Sequence, residues 1–295
     1  MFCTYSWKRP RLITFIISKI VEKSSRETFR KISFYVVAHA DDWQLFMHPN
    51  VHTDLSDPQC KVVFIITTAG DSGFGENFWT AREEGSKSSV RYLLAPFAVL
   101  SESSGQKKFN QHSIYYWSLN NTTSYFLRLP DGNLNGKGFP ASNFQSLTRF
   151  KTGQNDAIAS LDNSNNYLTW SDFVNTLESI ISCESQGIIN RWINYLNPDL
   201  TNNPGDHPDH VATGQALQNI SIIATLHQCL FVGYSTGSVQ DSLALTDLFW
   251  KAGMFAVYEK AVYDSCGYST LKENTDLYAR WLCNRSKLII LLPAY

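Results

Sequence analysis

Two runs, ISFYVVA at 32–38 and KVVFIITT at 61–68, constrain this chain more than any other feature. Neither shows the polar alternation of a half-exposed strand, and both are rich in β-branched and aromatic residues, so each reads as a strand covered on both faces. Such strands belong to parallel sheets lying between helices, which makes an α/β protein the expectation. The first run stops at His39, Asp41 and Asp42, and the second at the turn-rich AGDSG of 69–73, which leads into a helical stretch over about 77–92. Polar residues therefore collect at the carboxyl ends of the strands, where open α/β sheets hold their ligands.

The rest of the chain extends this pattern. Residues 112–119 and 124–129 read as strands, the latter ending in the turn Pro130-Asp131-Gly132, and 151–169 reads as loop. Ser171 is placed to cap a helix over about 172–185, Asn203-Pro204-Gly205-Asp206 is a turn, and 210–219 and 247–263 read as helices on either side of a strand at 229–234. No repeat, low-complexity tract or long linker interrupts the sequence. The expectation is a Rossmann-like, mostly parallel sheet with helices on both faces, forming a single domain over 31–295 behind an N-terminal extension, 1–30, that carries a short amphipathic helix.

Composition narrows the partners. With 25 basic against 26 acidic side chains and a net charge of −1, there is no charge footprint for nucleic acid, and the 43% hydrophobic content is too high for a disordered chain. The apolar run at 12–21 follows Lys8, Arg9 and Arg11 like a signal-peptide core, but Lys19 interrupts it, no small-x-small cleavage site follows, and 22–31 is densely charged. It is also too short for a transmembrane span. The default is a soluble, cytoplasmic protein whose six cysteines, none in C-x-x-C spacing, are mostly buried free thiols. The 14% aromatic content either fills cores, as expected of Tyr35, Phe64 and Phe249, or makes stacking platforms, for which Trp43, Phe78, Trp79 and Trp117 are the rings to locate.

Two clusters carry chemistry: Ala38-His39-Ala40-Asp41-Asp42 after the first strand, and Asp206-His207-Pro208-Asp209-His210 between a turn and a helix. Taken singly, a His-Asp pair at a strand end or an H-x-x-H is also what caps and turns use. Taken together, they offer imidazole nitrogens and a carboxylate, the usual ligand set of a catalytic zinc that keeps one position for water. A neighbouring carboxylate must still take the proton from that water, and adjacent aspartates in a loop point apart and can divide the two tasks. His48 and His52, spaced i,i+4, are a rival metal pair, although Pro49 and Asn50 between them argue against a helix there.

The order of these pieces resembles the PIG-L/LmbE-like deacetylases: a strand followed by A-H-x-D-D, an apolar strand ending T-A-G-D, A-R-E-x-G (Ala81, Arg82, Glu83, Gly85), R-L-P-D-G (128–132) and H-P-D-H. The resemblance runs from about residue 32 to at least 235. It implies zinc-dependent hydrolysis of the acetamide of an N-acetylglucosamine-type sugar or conjugate, with Zn2+ held by His39, Asp42 and His210 and with Asp41 as general base. It further implies that a protonated His207 stabilises the oxyanion or protonates the leaving amine, and that Asp209 orients His207. The chain departs from the family at Ala40, where Pro or Gln is common, and at Trp43, where Glu is common. Arg82 and Trp43 are the weaker candidates for substrate contact. The partner implied is a small N-acetylated sugar or sugar conjugate, and oligomeric state is left open. Two other classes remain: a catalytically silent carbohydrate-binding protein of the same fold, and a metal-dependent hydrolase of another bond, such as a phosphoester.

Overall fold

The computed structural model describes residues 29–96, 101–238 and 242–293, so the expected N-terminal helix within 1–30 lies outside the described residues, as does Cys3. Strand β1 (Lys31–Val37) is followed by two short helices, α1 (Asp42–Phe46) and α2 (Asn50–Ser56), and then by β2 (Cys60–Thr68) and α3 (Glu76–Leu94). Next come β3 (Glu102–Phe109), β4 (His112–Leu119) and β5 (Thr122–Leu129), the short helix α4 (Leu147–Lys151), and α5 (Trp170–Glu184). The chain continues through β6 (Asn190–Leu196), α6 (Pro208–Gln218), β7 (His227–Phe231), α7 (Leu245–Cys266), α8 (Thr275–Cys283) and β8 (Leu288–Leu291). The loop at 151–169 holds only a two-residue ladder, Ile158–Ala159 against Asn166–Tyr167.

All eight strands form one sheet in the order β8-β7-β6-β1-β2-β5-β4-β3. Its centre is parallel, β7, β6, β1, β2 and β5 running the same way, and antiparallel strands finish both edges. The mostly parallel Rossmann-like architecture is therefore present. Alternation along the central strands sends Tyr35, Val37, Phe64 and Ile66 into a core shared with Val90 and Leu93 of α3 and Met254 and Phe255 of α7. Phe34, Val36, Val63 and Ile65 enter the opposite core, with Phe173, Leu177 and Ile180 of α5 and Ala212 and Ala216 of α6. Apolar side chains on both faces of β1 and β2 are what removed the polar alternation from their sequences.

The topology fixes where a site can form. From β1 the chain steps to β2 on one side and later returns as β6 on the other, so the strand order reverses at β1 and leaves a crevice beyond the carboxyl ends of β1 and β6. The segments bearing His39 and His210 leave the sheet on either side of that crevice.

Several local expectations are corrected. Residues 102–109 (ESSGQKKF), to which the sequence pattern assigns no element, form the edge strand β3, their polarity being what a solvent-facing edge carries. Helix α2 starts at Asn50 with Pro49 as its N-cap, because proline is tolerated at a helix start even though it breaks an interior. Thr169, not Ser171, caps α5, accepting the Asp172 amide. Tyr35 and Phe64 are fully buried as expected, whereas Phe249 lies on the outer side of α7 with 65% exposure. Cys60, Cys183, Cys229, Cys266 and Cys283 are free, the first and third of them buried. Among the described residues no helix is long and apolar enough to cross a membrane.

Candidate metal and catalytic centre

Both sequence clusters meet in the crevice. After β1 the chain turns so that Asp41 is the N-cap of α1 and Asp42 its first residue. Asp42 Oδ2 accepts the His39 backbone N–H at 2.7 Å, which folds the carboxylate back over the loop and aims Oδ1 at the crevice. On the other side His207 is the N-cap of α6 and Pro208 occupies the first turn, where its missing N–H costs nothing. The first turn of α6 then presents His210 to the same point.

There His39 Nδ1, Asp42 Oδ1 and His210 Nε2 stand 3.0, 3.3 and 3.5 Å from one another, all buried. Bonds of about 2.0–2.1 Å in a tetrahedral shell imply donor separations of about 3.3–3.4 Å, so these three atoms are spaced as ligands of one small ion. The distal nitrogens reinforce this. His210 Nδ1 meets Asp206 Oδ1 at 2.9 Å, and His39 Nε2 faces Asp209 Oδ2 at 3.4 Å. A carboxylate behind a ligand histidine fixes its ring and raises its basicity. With Nδ1 of His210 directed to Asp206, its Nε2, His39 Nδ1 and a carboxylate oxygen converge on one point, an arrangement that protons or a metal ion can satisfy. These three residues can therefore hold a metal ion.

The charges respond accordingly. Burial works against a charged His210, but Asp206 and Asp42 outweigh it and raise its pKa to about 10. Burial likewise opposes charge on His39, and Asp42 overcomes it, holding the ring well above its usual range. Asp42 is buried too, yet His210 and His39 keep it well below the usual carboxylate range. Affinity for protons at converging ligand atoms is affinity that a metal ion can take over.

Of the candidate catalytic residues, Asp41 and His207 line the adjoining cavity, about 170 Å³, together with Asp131, Phe78 and Trp281, while Asp209 is buried behind it. Asp41 accepts a hydrogen bond from Arg82 Nη2 through Oδ1. Arg82 is itself buried and donates its other bonds to the Tyr258 hydroxyl (2.9 Å) and the Gly70 carbonyl (2.6 Å), so it is a clamp on Asp41 rather than a free donor. His207 Nδ1 accepts the Asp209 backbone N–H at 3.2 Å, which puts the proton of the neutral ring on Nε2, 4.0 Å from Asp131 Oδ1.

Three expectations change. Asp209 reaches His207 through its amide, while its carboxylate receives the Gly132 N–H at 2.7 Å and backs His39. The close approach is possible because residue 132 is glycine, a Cβ there falling 2.4 Å from Asp209 Oδ1. His207 is neutral, not protonated: burial first, then the neighbouring His39 charge, lower its pKa to about 4. Trp43 does not line the cavity; it is fully buried, donates to Ser86 Oγ at 2.9 Å and packs on Phe64. Of the rings to locate, Phe78 alone reaches the cavity among the described residues lining it. Trp79 lies under Arg128, and Trp117 donates to Glu102.

Two residues of the centre had no role in the sequence reading. Asp206, within the second cluster, holds His210, and Asp131, within the R-L-P-D-G turn, faces both His39 and His207. Their signal was position, since each sits in a quoted motif.

No protein-family model and no curated protein matches the sequence. Among solved structures, the chain is similar to the N,N'-diacetylchitobiose deacetylase from Pyrococcus horikoshii complexed with its inhibitor MPG, at 16% identity over 97% of this chain and 95% of that one, with a TM-score of 0.45. It is also similar to the deacetylase–bog complex of the teicoplanin biosynthesis pathway, at 14% identity over 84% and 89% with a TM-score of 0.48. A third likeness is to the 4-carboxy-2-hydroxymuconate hydratase from Pseudomonas putida KT2440, at 8% identity over 90% and 98% with a TM-score of 0.38. Likenesses of this degree leave the reaction to be read from the side chains.

Proposed function

We propose that this chain is a zinc-dependent de-N-acetylase, hydrolysing the acetamide of an N-acetylglucosamine-type sugar or its conjugate to acetate and a free amine. One observation carries the reading: three donors spaced as the ligands of one ion, each histidine backed by a carboxylate, open onto a cavity that also holds Asp41 and a neutral His207. Two imidazoles and one carboxylate make a hydrolytic zinc set. Zinc, when bound, polarises the acetyl carbonyl and acidifies a water molecule.

The chain's own groups supply the remaining steps. Asp41, with Oδ1 tied to Arg82, has Oδ2 to accept the proton of the attacking water, and the clamp fixes where that oxygen lies. His207 presents its Nε2–H to the oxygen that gains negative charge as the carbonyl carbon becomes tetrahedral. A neutral imidazole at a helix N-terminus has precedent as such a donor. The proton held by Asp41 then passes to the leaving nitrogen as the C–N bond breaks, so one water yields acetate and amine.

The test is a screen of N-acetylated hexosamines for acetate and free amine, with a chelator control. Asp41→Asn is expected to keep its metal and to lose about 10²–10⁴ in turnover. Absence of acetate release from every N-acetylhexosamine by the metal-loaded protein removes this reading, and sugar binding without turnover would place the chain with the silent binders. Phosphoester cleavage with two metals per chain would favour the alternative hydrolase.

A further inference from the structure

The cavity wall is poor in positive charge. Among the described residues lining it, Arg82 supplies the one cationic side chain besides the ligand candidate His39, and three of its five N–H groups go to Asp41, Tyr258 and Gly70. Against it stand the carboxylates of Asp41, Asp42 and Asp131, with Asp209 buried behind them. A divalent ion at His39, Asp42 and His210 would be outweighed by these neighbours together with Asp209. A phosphate beside the sugar would meet a net negative wall here.

A second feature is continuous with the first. Phe78 and Tyr268 line the cavity and also one side of an apolar groove of about 450 Å³, whose outer rim is Phe74. The three rings touch in a triangle, with centroids 5.1 Å (Phe74–Phe78), 5.1 Å (Phe78–Tyr268) and 5.7 Å (Phe74–Tyr268) apart. Phe74 is half exposed, although the loop that carries it is firmly built. Its amide bonds the Asp71 carbonyl at 2.7 Å and the Gly73 amide bonds Asp71 Oδ2 at 3.1 Å. Gly73, at φ +76°, leaves room for Phe139, whose ring would lie 2.7 Å from a Cβ. An ordered ring platform beside the cavity, with Phe74 exposed, Tyr268 half-buried and Phe78 buried beneath them, suits a flat or apolar group, and the groove's one charged wall residue, Glu76, repels anions as the cavity does.

We propose that this site takes N-acetylated sugars whose aglycone is uncharged and presents a flat or apolar face to Phe74, Phe78 and Tyr268, and that it turns away conjugates carrying a phosphate next to the sugar. The inference rests on the deacetylase reading and deepens it by naming the substrate class.

Three probes test it: 4-nitrophenyl N-acetyl-β-glucosaminide, N-acetylglucosamine 1-phosphate and free N-acetylglucosamine. The aryl glycoside is expected to exceed the 1-phosphate at least tenfold in kcat/KM. Phe74→Ala is expected to reduce the preference for the aryl glycoside over the free sugar about three- to tenfold, through KM, with Tyr268→Ala as the second variant. Calorimetric binding of 4-nitrophenyl β-glucosaminide to chelator-treated protein should weaken by a similar factor in both variants, a readout that needs no turnover. Equal use of the 1-phosphate, or an unchanged preference in both variants, overturns the inference while acetate release keeps the function. Amine release from none of the three probes by metal-loaded protein defeats the underlying reading instead.

Discussion

Two histidine pairs, buried except for the half-buried His52, have opposite surroundings. In the pair His39 and His210 every ring nitrogen faces a carboxylate oxygen or the other ring, and both pKa values are raised. In the pair His48 and His52 the rings stack 5.9 Å apart at 15°, and neither nitrogen of His48 nor His52 Nε2 has a partner in hydrogen-bonding geometry. Burial, then Lys251 and His52, push the His48 pKa down to about 3. The residue type is the same in both places. What differs is the supply of carboxylates: Asp42, Asp206 and Asp209 surround the buried His39 and His210, whereas the carboxylate acting on the second pair is that of Asp247, on His52. No group of three potential ligands forms around His48 and His52 among the described residues.

The largest effect that follows is on the first pair. His210→Ala removes one of three converging donors, so metal content should fall below stoichiometry and turnover by about 10³ or more, measured by elemental analysis and acetate release together. His48→Ala should leave metal content unchanged, and a loss of metal there would erase the distinction.

Next in size is the clamp on Asp41. Arg82→Leu leaves that buried carboxylate without its cation, a change that costs about 3–5 kcal/mol when the pair is interior. Chemical denaturation should show the loss, and Asp41→Asn in the same chain should restore part of it, because the uncompensated charge is then gone. Equal stability of the single and double variants would break this account of Arg82.

A smaller effect tests the carboxylate behind the ligand. Asp206→Asn keeps shape but removes the charge that orients and enriches His210, for an expected 10- to 100-fold loss in metal affinity, read from competition with a chromogenic chelator. The same change at the exposed Asp199, whose carboxylate bonds Thr201 and Asn202 rather than a histidine, should leave affinity unaltered.

How much of this was legible in the sequence follows from the same contrast. The runs at 32–38 and 61–68 revealed two central strands because both of their faces are apolar, the first cluster was legible because β1 ends where it begins, and the second because it stands between a turn and a helix. Strand β6, which feeds the second cluster, was not legible: NRWINYL opens on exposed or half-exposed residues and becomes fully buried only from Ile193. The polar edge strand β3 was hidden for a related reason, its pattern being set by solvent rather than by a core. Within the site, residue types pointed to the side chains that converge, but which carboxylate backs which ring depends on distances between segments some 80 to 170 residues apart. Asp209, beside His207 in sequence, backs His39 in space for that reason.

The smallest predicted effect is on the bare pair, and it appears as acid sensitivity. His48 has an ordinary pKa of 6.5 and about 3 in the fold, so between those values the unfolded chain binds a proton that the folded chain refuses. Stability then falls as pH falls: the contribution of the neutral ring is fully present above about 6.5 and is lost progressively toward 3. Between pH 7 and pH 5 the difference amounts to about 2 kcal/mol. Lys251 and Arg285 add to the depression and the Asp247 backbone opposes it, so the groups around the ring do not reverse the sign. His48→Leu removes the titrating group while keeping an apolar side chain in a buried position, and should flatten the pH 7 to 5 decline in denaturant midpoint by that amount relative to the unmodified chain. If both chains lose stability equally over that interval, His48 is already partnered in solution and the two histidine pairs are alike.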